Sequence, residues 1–185
     1  MDIKYELLKD ESIDFYGKTL YRIRATESFG DVYEDEKGGF IEGYNNLDGD
    51  AWVAGDAKVC GNAKVYGNAM VCGNALVCSN AVVKGSAAVS GNAHVACDAE
   101  IDGNAQISDA ADILTVSPVG FDGDSVTFFK CDDSKIRVIT DDFLGTIDEF
   151  ADTVAQEYGD SEYAQEYKLA IQLAKLKIKV EEESK

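Results

Sequence analysis

The chain has 185 residues, and its hydrophobic content of 45% is typical of a folded protein rather than a disordered one. Its formal net charge is −18, and acidic residues outnumber basic ones in the N-terminal, central and C-terminal segments alike. This balance disfavours direct binding to nucleic acid or to an anionic membrane surface, because both need clustered lysine and arginine. The negative charge favours a basic partner, because the two would attract each other electrostatically at long range.

The sequence has no apolar run of the roughly 18 residues that a membrane helix needs. Its first residues, MDIKYELLKDES, lack the basic lead and apolar core of a signal peptide. The five cysteines are odd in number and form no CxxC pair, which argues against a zinc site. We therefore expect a cytoplasmic protein with reduced thiols and no bound metal.

Residues 1–40 are predicted to form an N-terminal β cap. Residues 3–25 contain two β-rich runs on either side of Gly17-Lys18, and this pattern predicts a hairpin. A charged loop with a glycine pair follows over residues 26–40. The segment would cover the first turn of the repeat that comes next, since open strand edges invite aggregation.

A six-residue phrase recurs from Leu47 to Asp112, after a degraded copy that starts at Ile41. Its first place is aliphatic, its third is usually Gly, its fourth is usually Asn or Asp, and its fifth is Ala in all eleven copies. The copies read LDGDAW, VAGDAK, VCGNAK, VYGNAM, VCGNAL, VCSNAV, VKGSAA, VSGNAH, VACDAE, IDGNAQ and ISDAAD. Repetition at a fixed period indicates a repeat fold, here over residues 41–112.

The period of six fits neither an amphipathic helix nor a half-buried strand, but it fits a short strand followed by a corner. The aliphatic residue points inward and stiffens the strand. Gly-Asn or Gly-Asp supplies the corner, because these residues tolerate the left-handed backbone region. The small Ala lets the chain turn over a narrow interior. Three phrases make one triangular coil of 18 residues, so the repeat predicts about four coils.

Each inward aliphatic residue has two outward neighbours, and outward residues 18 apart stack on successive coils. One of the three faces carries no charged residue, on a protein of net charge −18. We predict that the C-terminal helices or a second subunit cover this face, because apolar patches are seldom left in water. Its first residues are Trp52, Ala54, Met70, Cys72 and Ala88.

Residues 113–185 are predicted to form an α/β module. The runs ILTVSPV, SVTFFK and KIRVIT indicate strands separated by turns. A helix begins at Thr146, with Glu149 completing a capping box, and ends at Gly159. A second helix follows, and its wide apolar band predicts burial in a core or an interface. The predicted fold class is mainly β: a parallel β-helix between a β cap and an α/β module that ends in two helices.

The phrase resembles the hexapeptide repeat of left-handed parallel β-helices, and this resemblance alone implies the left hand. The flanks are similar to a family of phage and prophage proteins from Gram-positive bacteria, through GKTLYRIRA, FGDV and GGFIE before the repeat and ILTVSPVG, GTIDEF and YAQEYKLAIQLA after it. That family combines an N-terminal cap, a run of GNAxVx phrases and an α/β C-terminal module. The resemblance implies a phage gene acting in the bacterial cytoplasm and supplies no activity.

Acyl transfer is one function to consider, because many hexapeptide β-helices resemble acetyl-CoA-dependent enzymes that use a His as general base. The chain has one His, His94, in an outward place of the repeat. No loop interrupts the phrases between Val53 and Asp112, and no basic cluster offers to hold the phosphates of coenzyme A. These features favour a protein without catalysis and without a cofactor.

The charge favours binding: a rigid acidic rod that occupies the basic groove of a host protein, such as a nuclease, a CRISPR effector or a restriction enzyme, and inhibits it. The acyltransferase, a phage structural or assembly spacer and a nucleotide-binding sponge stay open as alternatives. Self-association is also expected, as a trimer from the resemblance to hexapeptide proteins or as a dimer. The candidate partner-binding acids are Asp98, Glu100, Asp102, Asp132, Asp133, Asp141, Asp142, Asp148 and Glu149.

Overall fold

The computed structural model describes residues 3–180. In this part of the chain the repeat forms a parallel β-solenoid of about four turns, as its period predicts. A β hairpin precedes the solenoid, and a four-stranded antiparallel sheet with two helices follows it. The predicted fold class is confirmed.

The phrases form ten strands of two residues, each made of the last residue of one phrase and the first residue of the next, and strands 18 residues apart pair in parallel. The strands are β4 (Trp52–Val53), β5 (Lys58–Val59), β6 (Lys64–Val65), β7 (Met70–Val71), β8 (Leu76–Val77), β9 (Val82–Val83), β10 (Ala88–Val89), β11 (His94–Val95), β12 (Glu100–Ile101) and β13 (Gln106–Ile107). The first face of the solenoid holds β4, β7, β10 and β13, the second holds β6, β9 and β12, and the third holds β5, β8 and β11.

The interior of the solenoid is a column of aliphatic and alanine side chains. From Ala51 to Ile107 the second residue of each strand and the alanine at the fifth place are at most 2% exposed. The corners need the left-handed backbone region: Gly67 has φ of 77°, and a Cβ there would lie 3.1 Å from the carbonyl oxygen of Gly85 on the next coil. The predicted inward direction of the valines and alanines is therefore correct, and their burial is the main apolar contribution to stability.

The N-terminal cap is a hairpin that extends the third face. Strand β1 (Tyr5–Phe15) pairs antiparallel with β2 (Lys18–Ala25). Strand β2 pairs in turn with β3 (Lys37–Ile41), which is the first rung of the third face. Tyr16 and Gly17 form the turn, both at positive φ, as a two-residue hairpin requires. The edge of the first coil is thus covered by the main chain of the same protein.

Four antiparallel strands close the other end of the solenoid. In order they are β14 (Ile113–Val119), β15 (Asp124–Lys130), β16 (Ile136–Ile139) and β17 (Leu144–Thr146). The sequence pattern predicts the first three and misses the fourth. Successive residues of β15 face opposite sides, so that Phe129 packs in the solenoid core and Phe128 packs in a second core with the helices. The sheet is therefore buried on both sides.

Two helices, α1 (Ile147–Tyr158) and α2 (Glu162–Lys177), cover the outer side of this sheet. Thr146 caps α1 by accepting a hydrogen bond from the Glu149 N–H, and Gly159 ends the helix at φ of 54°, as predicted. One apolar face of each helix is buried in the second core. Within residues 3–180 no helix is long and apolar enough to cross a membrane.

Candidate binding surface at the end of the solenoid

Six carboxylates meet where the last coil joins the C-terminal sheet. They come from three separate segments: strand β12 with the residue after it, the turn between β15 and β16, and the turn between β16 and β17. All six are among the acids that the sequence proposes for partner binding. We call this surface the acidic junction and define it by Glu100, Asp102, Asp132, Asp133, Asp141, Asp142 and Leu144.

Hydrogen bonds between the solenoid and the sheet hold two of these three segments in place, the one at β12 and the turn between β15 and β16. The Asp132 N–H donates to the carbonyl oxygen of Asn104 at 3.1 Å. The Glu100 N–H donates to Oγ1 of Thr127, on β15, at 3.2 Å. The backbone that carries the carboxylates of these two segments is therefore fixed by contacts between the solenoid and the C-terminal sheet.

Among the described side chains that line the junction, two are basic. Lys84 pairs with Glu100, and its Nζ lies 3.6 Å from Oδ2 of Asp102, a pair that the stacking of residues 18 apart predicts. The hydrogen bond to Glu100 holds the pKa of Lys84 above its usual value. Arg137 Nη2 donates to Oδ2 of Asp133 at 2.7 Å. Six carboxylates against two bases leave the surface with a negative field.

Leu144 lies beside both groups of carboxylates in the acidic junction. It lines two adjacent shallow cavities of about 490 and 450 Å³, one beside each turn of the sheet, and Asp102 also lines both. Its side chain is 58% exposed. An apolar residue among carboxylates suits an arginine or a lysine, whose alkyl stem packs on apolar surface while its charged end meets a carboxylate.

The other three predicted acids do not line these cavities. Asp98 hydrogen bonds with an asparagine on the coil below, in a ladder of corner side chains. Asp148 forms an ion pair of 2.8 Å with a lysine of α2. The carboxylate of Glu149 accepts from both the N–H and the hydroxyl of Thr146, which lowers its pKa, so this acid serves the start of α1.

The uncharged first face is covered at its start by the N-terminal cap. Trp52 is 2% exposed and packs edge-on against Phe29, with ring centroids 5.8 Å apart. The sequence pattern places Phe29 in a charged loop and does not predict this contact. Because Phe29 of the same chain covers Trp52, the prediction that the helices or a second subunit cover it is wrong for Trp52. Half-buried side chains follow along this face at Ala54, Met70, Cys72 and Ala88. Cover of these four residues by the C-terminal helices or by a second subunit stays a prediction.

A cysteine and a histidine meet on the third face. Cys78 Sγ lies 3.4 Å from Nε2 of His94. They are 16 residues apart because Cys78 follows β8, whereas His94 opens β11 on the next coil. The sequence pattern places His94 in an outward position of the repeat but does not by itself pair it with Cys78. The pairing follows from the stacking of outward positions on successive coils. The pair lies at a groove against the hairpin turn.

Within residues 3–180 no group of three or more Cys, His, Asp or Glu side chains is placed to hold a metal ion. No protein-family profile matches the chain, and no curated protein sequence matches it.

Proposed function

We propose that the protein is a non-catalytic binding protein whose acidic junction takes a basic segment of another protein. The observation that carries this proposal is the convergence of six carboxylates from three chain segments around the exposed Leu144. A groove built to hold nucleic acid is the class of partner that such a surface fits, because it presents arginine and lysine at high density. Occupying that groove would inhibit the partner.

The rigidity of the junction supports this function. The strand β15 contributes Phe129 to the same core as the last solenoid coil, so the sheet and the solenoid share one packed interior. Carboxylates held on such a frame lose little conformational freedom when a partner binds, which favours affinity. The net charge of −18 adds long-range attraction, which gives fast association that weakens as salt rises.

The biological setting that we propose follows from the resemblance to phage and prophage proteins. In the cytoplasm of a bacterial host the proteins with strongly basic grooves include nucleases, restriction enzymes and CRISPR effectors. A phage gains when such a defence protein is inhibited, and a rigid acidic surface is one physical means of doing so.

The triple variant Asp132→Asn, Asp141→Asn and Asp142→Asn is expected to lose most of its affinity for the partner. Each change keeps the shape of the side chain and removes one negative charge from the junction. The partner is first captured by the wild-type protein from a lysate of the bacterial host at about 50 mM salt and is then purified. We expect the dissociation constant of the purified pair to rise at least about 10-fold in the triple variant, or about 1.4 kcal/mol.

A matched control removes the same number of charges from exposed positions that do not line the junction, through Asp122→Asn, Asp152→Asn and Asp160→Asn. This control should change the dissociation constant by less than about 3-fold, since only long-range attraction is reduced. Equal weakening by the two variants would show that overall charge acts and that the junction does not. Capture of no basic protein at low salt would contradict the binding function itself.

A further inference from the structure

We propose that Cys78 is a nucleophilic thiol with His94 as its base, and that the groove beside them is a site of covalent modification by a small disulfide. The distance of 3.4 Å between Sγ and Nε2 is a hydrogen-bonding distance for sulfur. A nucleophile within reach of a base is the arrangement that activates a thiol. The register of the third face fixes this geometry, because β11 pairs with β8 so that His94 stands opposite Leu76.

The other four cysteines are Cys72, which is half-buried on the first face, Cys60, which lines the same groove as Cys78, Cys97 and Cys131. Cys60 and Cys131 are buried, and burial raises the pKa of both thiols, to about 11 for Cys131. Cys97 is exposed, so reagents reach it freely. The one histidine of the chain is placed at Cys78. If exposure alone decided reactivity, Cys97 would be the most reactive thiol. If activation by a base decides it, Cys78 is the most reactive thiol.

The groove beside the pair can hold a small molecule. It has a volume of about 560 Å³, with Phe15 and Tyr16 of the hairpin turn among its lining residues. Amides of two corner asparagines, Asn62 and Asn80, also line it. Aromatic and amide groups of this kind provide contacts for a reagent with a short carbon chain. Lys18 also lines the groove, but it pairs with Glu42 at 2.7 Å, so the net charge of the protein favours a reagent that is a cation.

The proposed step is thiol–disulfide exchange. Nε2 of His94 takes the proton from Sγ of Cys78, and the thiolate attacks one sulfur of the small disulfide. The S–S bond of the reagent breaks as a new S–S bond forms, and the departing thiolate takes the proton from the imidazolium. One disulfide is consumed and one is formed, so the step needs no further oxidant.

The test treats the native full-length protein with cystamine, a small cationic disulfide, at about pH 7, and locates each modified cysteine by peptide mass. A base lies within hydrogen-bonding distance of Cys78 and takes its proton in the proposed step, so we expect Cys78 to react at least about 10-fold faster than Cys97. His94→Gln, at an exposed position, should slow Cys78 by about 10-fold and leave Cys97 unchanged. A Cys97 that reacts as fast as Cys78, or a Cys78 rate that His94→Gln does not alter, would overturn the proposal.

A second, independent observation concerns the outer face of α2. Leu169, Leu173 and Leu176 lie four and three residues apart and so share one side of the helix. Their side chains are 66%, 48% and 69% exposed. The sequence predicts burial of this band in a core or an interface, and none of the three cores formed by the described residues includes it. We call these three residues the leucine stripe.

We infer that the leucine stripe packs against the same stripe of a second copy of this chain, with the two α2 helices antiparallel. Helix α2 carries two acidic and three basic residues, so two copies meet here without the repulsion that a net charge of −18 causes elsewhere. The acids Glu162 and Glu166 lie near its start, and Lys175 and Lys177 lie at its end, where they also contact Asp148 and the carbonyl oxygen of Ile113. An antiparallel pair places the acidic start of one helix beside the basic end of the other.

Analytical ultracentrifugation of the full-length protein tests this pairing. We expect a dimer at tens of micromolar, in the range of small interfaces. We expect sulfate salts to strengthen it, because they favour apolar burial and screen the repulsion between two acidic chains. Leu173→Glu should raise the dissociation constant of the dimer at least about 100-fold. Gln156→Glu, which adds the same charge at an exposed position of α1, should change it by less than about 3-fold. A wild-type protein that stays monomeric at about 100 µM, or a Leu173→Glu variant that stays dimeric, would overturn the inference.

Discussion

Ile107→Asp is expected to lower the free energy of unfolding by at least about 4 kcal/mol. Ile107 is 1% exposed and belongs to the core that runs through the solenoid. The members of that core are apolar, so they offer a carboxylate no counter-charge, and burying an unpaired charge is among the most damaging single changes. Since a domain has only about 5–15 kcal/mol of stability in total, the variant should be largely unfolded or close to it. Urea unfolding followed by circular dichroism measures the effect.

The neighbouring substitution Gln106→Asp is the matched control. It adds the same charge one residue earlier in the same strand, where the side chain is exposed, and it should change stability by less than about 0.5 kcal/mol. Ile107→Ala should lie between the two, at about 2–5 kcal/mol, and can be measured when the Asp variant is too unstable. If Gln106→Asp proved as damaging as Ile107→Asp, the assignment of inward and outward residues in the solenoid would be wrong.

Gly39→Ala is expected to destabilise the first coil by at least about 2 kcal/mol. Gly39 is in β3, where the cap enters the solenoid. A Cβ at this position would lie 2.5 Å from the carbonyl oxygen of Ala57 and 2.8 Å from Cγ1 of Val53. Both distances are shorter than van der Waals contact, and the first involves backbone, which has little room to shift. Thermal unfolding of the variant beside the wild-type protein gives the size of the loss.

Gly43→Ala is the control for that experiment. Gly43 follows β3 by two residues, has extended backbone with φ of −172°, and has no atom within 4 Å of an added Cβ. We expect its melting temperature to stay within about 2 °C of the wild-type value, because the new methyl group meets nothing and any residue adopts this backbone. If the melting temperature of Gly39→Ala equalled that of Gly43→Ala, the cap would not pack as closely on the first coil as the structure indicates.

The solenoid was predictable because each six-residue phrase carries its own local structure. The aliphatic residue, the corner and the small residue recur at the same places, so the structure of one phrase predicts that of the others. The last phrase marks the limit of this reasoning. ISDAAD fits the period, yet its second half forms a short 3-10 helix, Ala110–Asp112, that Asp109 caps, and the chain leaves the solenoid there.

The contacts made by irregular segments were not predictable from the pattern. The cover over Trp52 comes from a loop that has no period, and Phe29 lies there among charged residues. Strand β17 has only three residues, which is too short for an alternating pattern to stand out. In both places the structure is set by packing against distant parts of the chain rather than by local preference.

The acidic junction shows a similar division. The acidic residues could be predicted individually from the sequence. Their proximity depends on how the sheet packs onto the last coil, and no local sequence pattern encodes that packing. The contact between Cys78 and His94 is different, because coil geometry alone contains it. Outward positions on successive coils are neighbours. Two residues 16 apart can therefore meet when the first directly follows its strand and the second is the first residue of the paired strand on the next coil.

The most direct measurement for the central claim is amide hydrogen exchange of the protein, free and bound to the partner that it captures. Binding should slow exchange at residues 100–104, 130–133 and 139–144, the three segments that form the acidic junction. The exchange rates on the first face of the solenoid should stay unchanged. Protection confined to that face or to the helices, with the junction exchanging as in the free protein, would contradict the account.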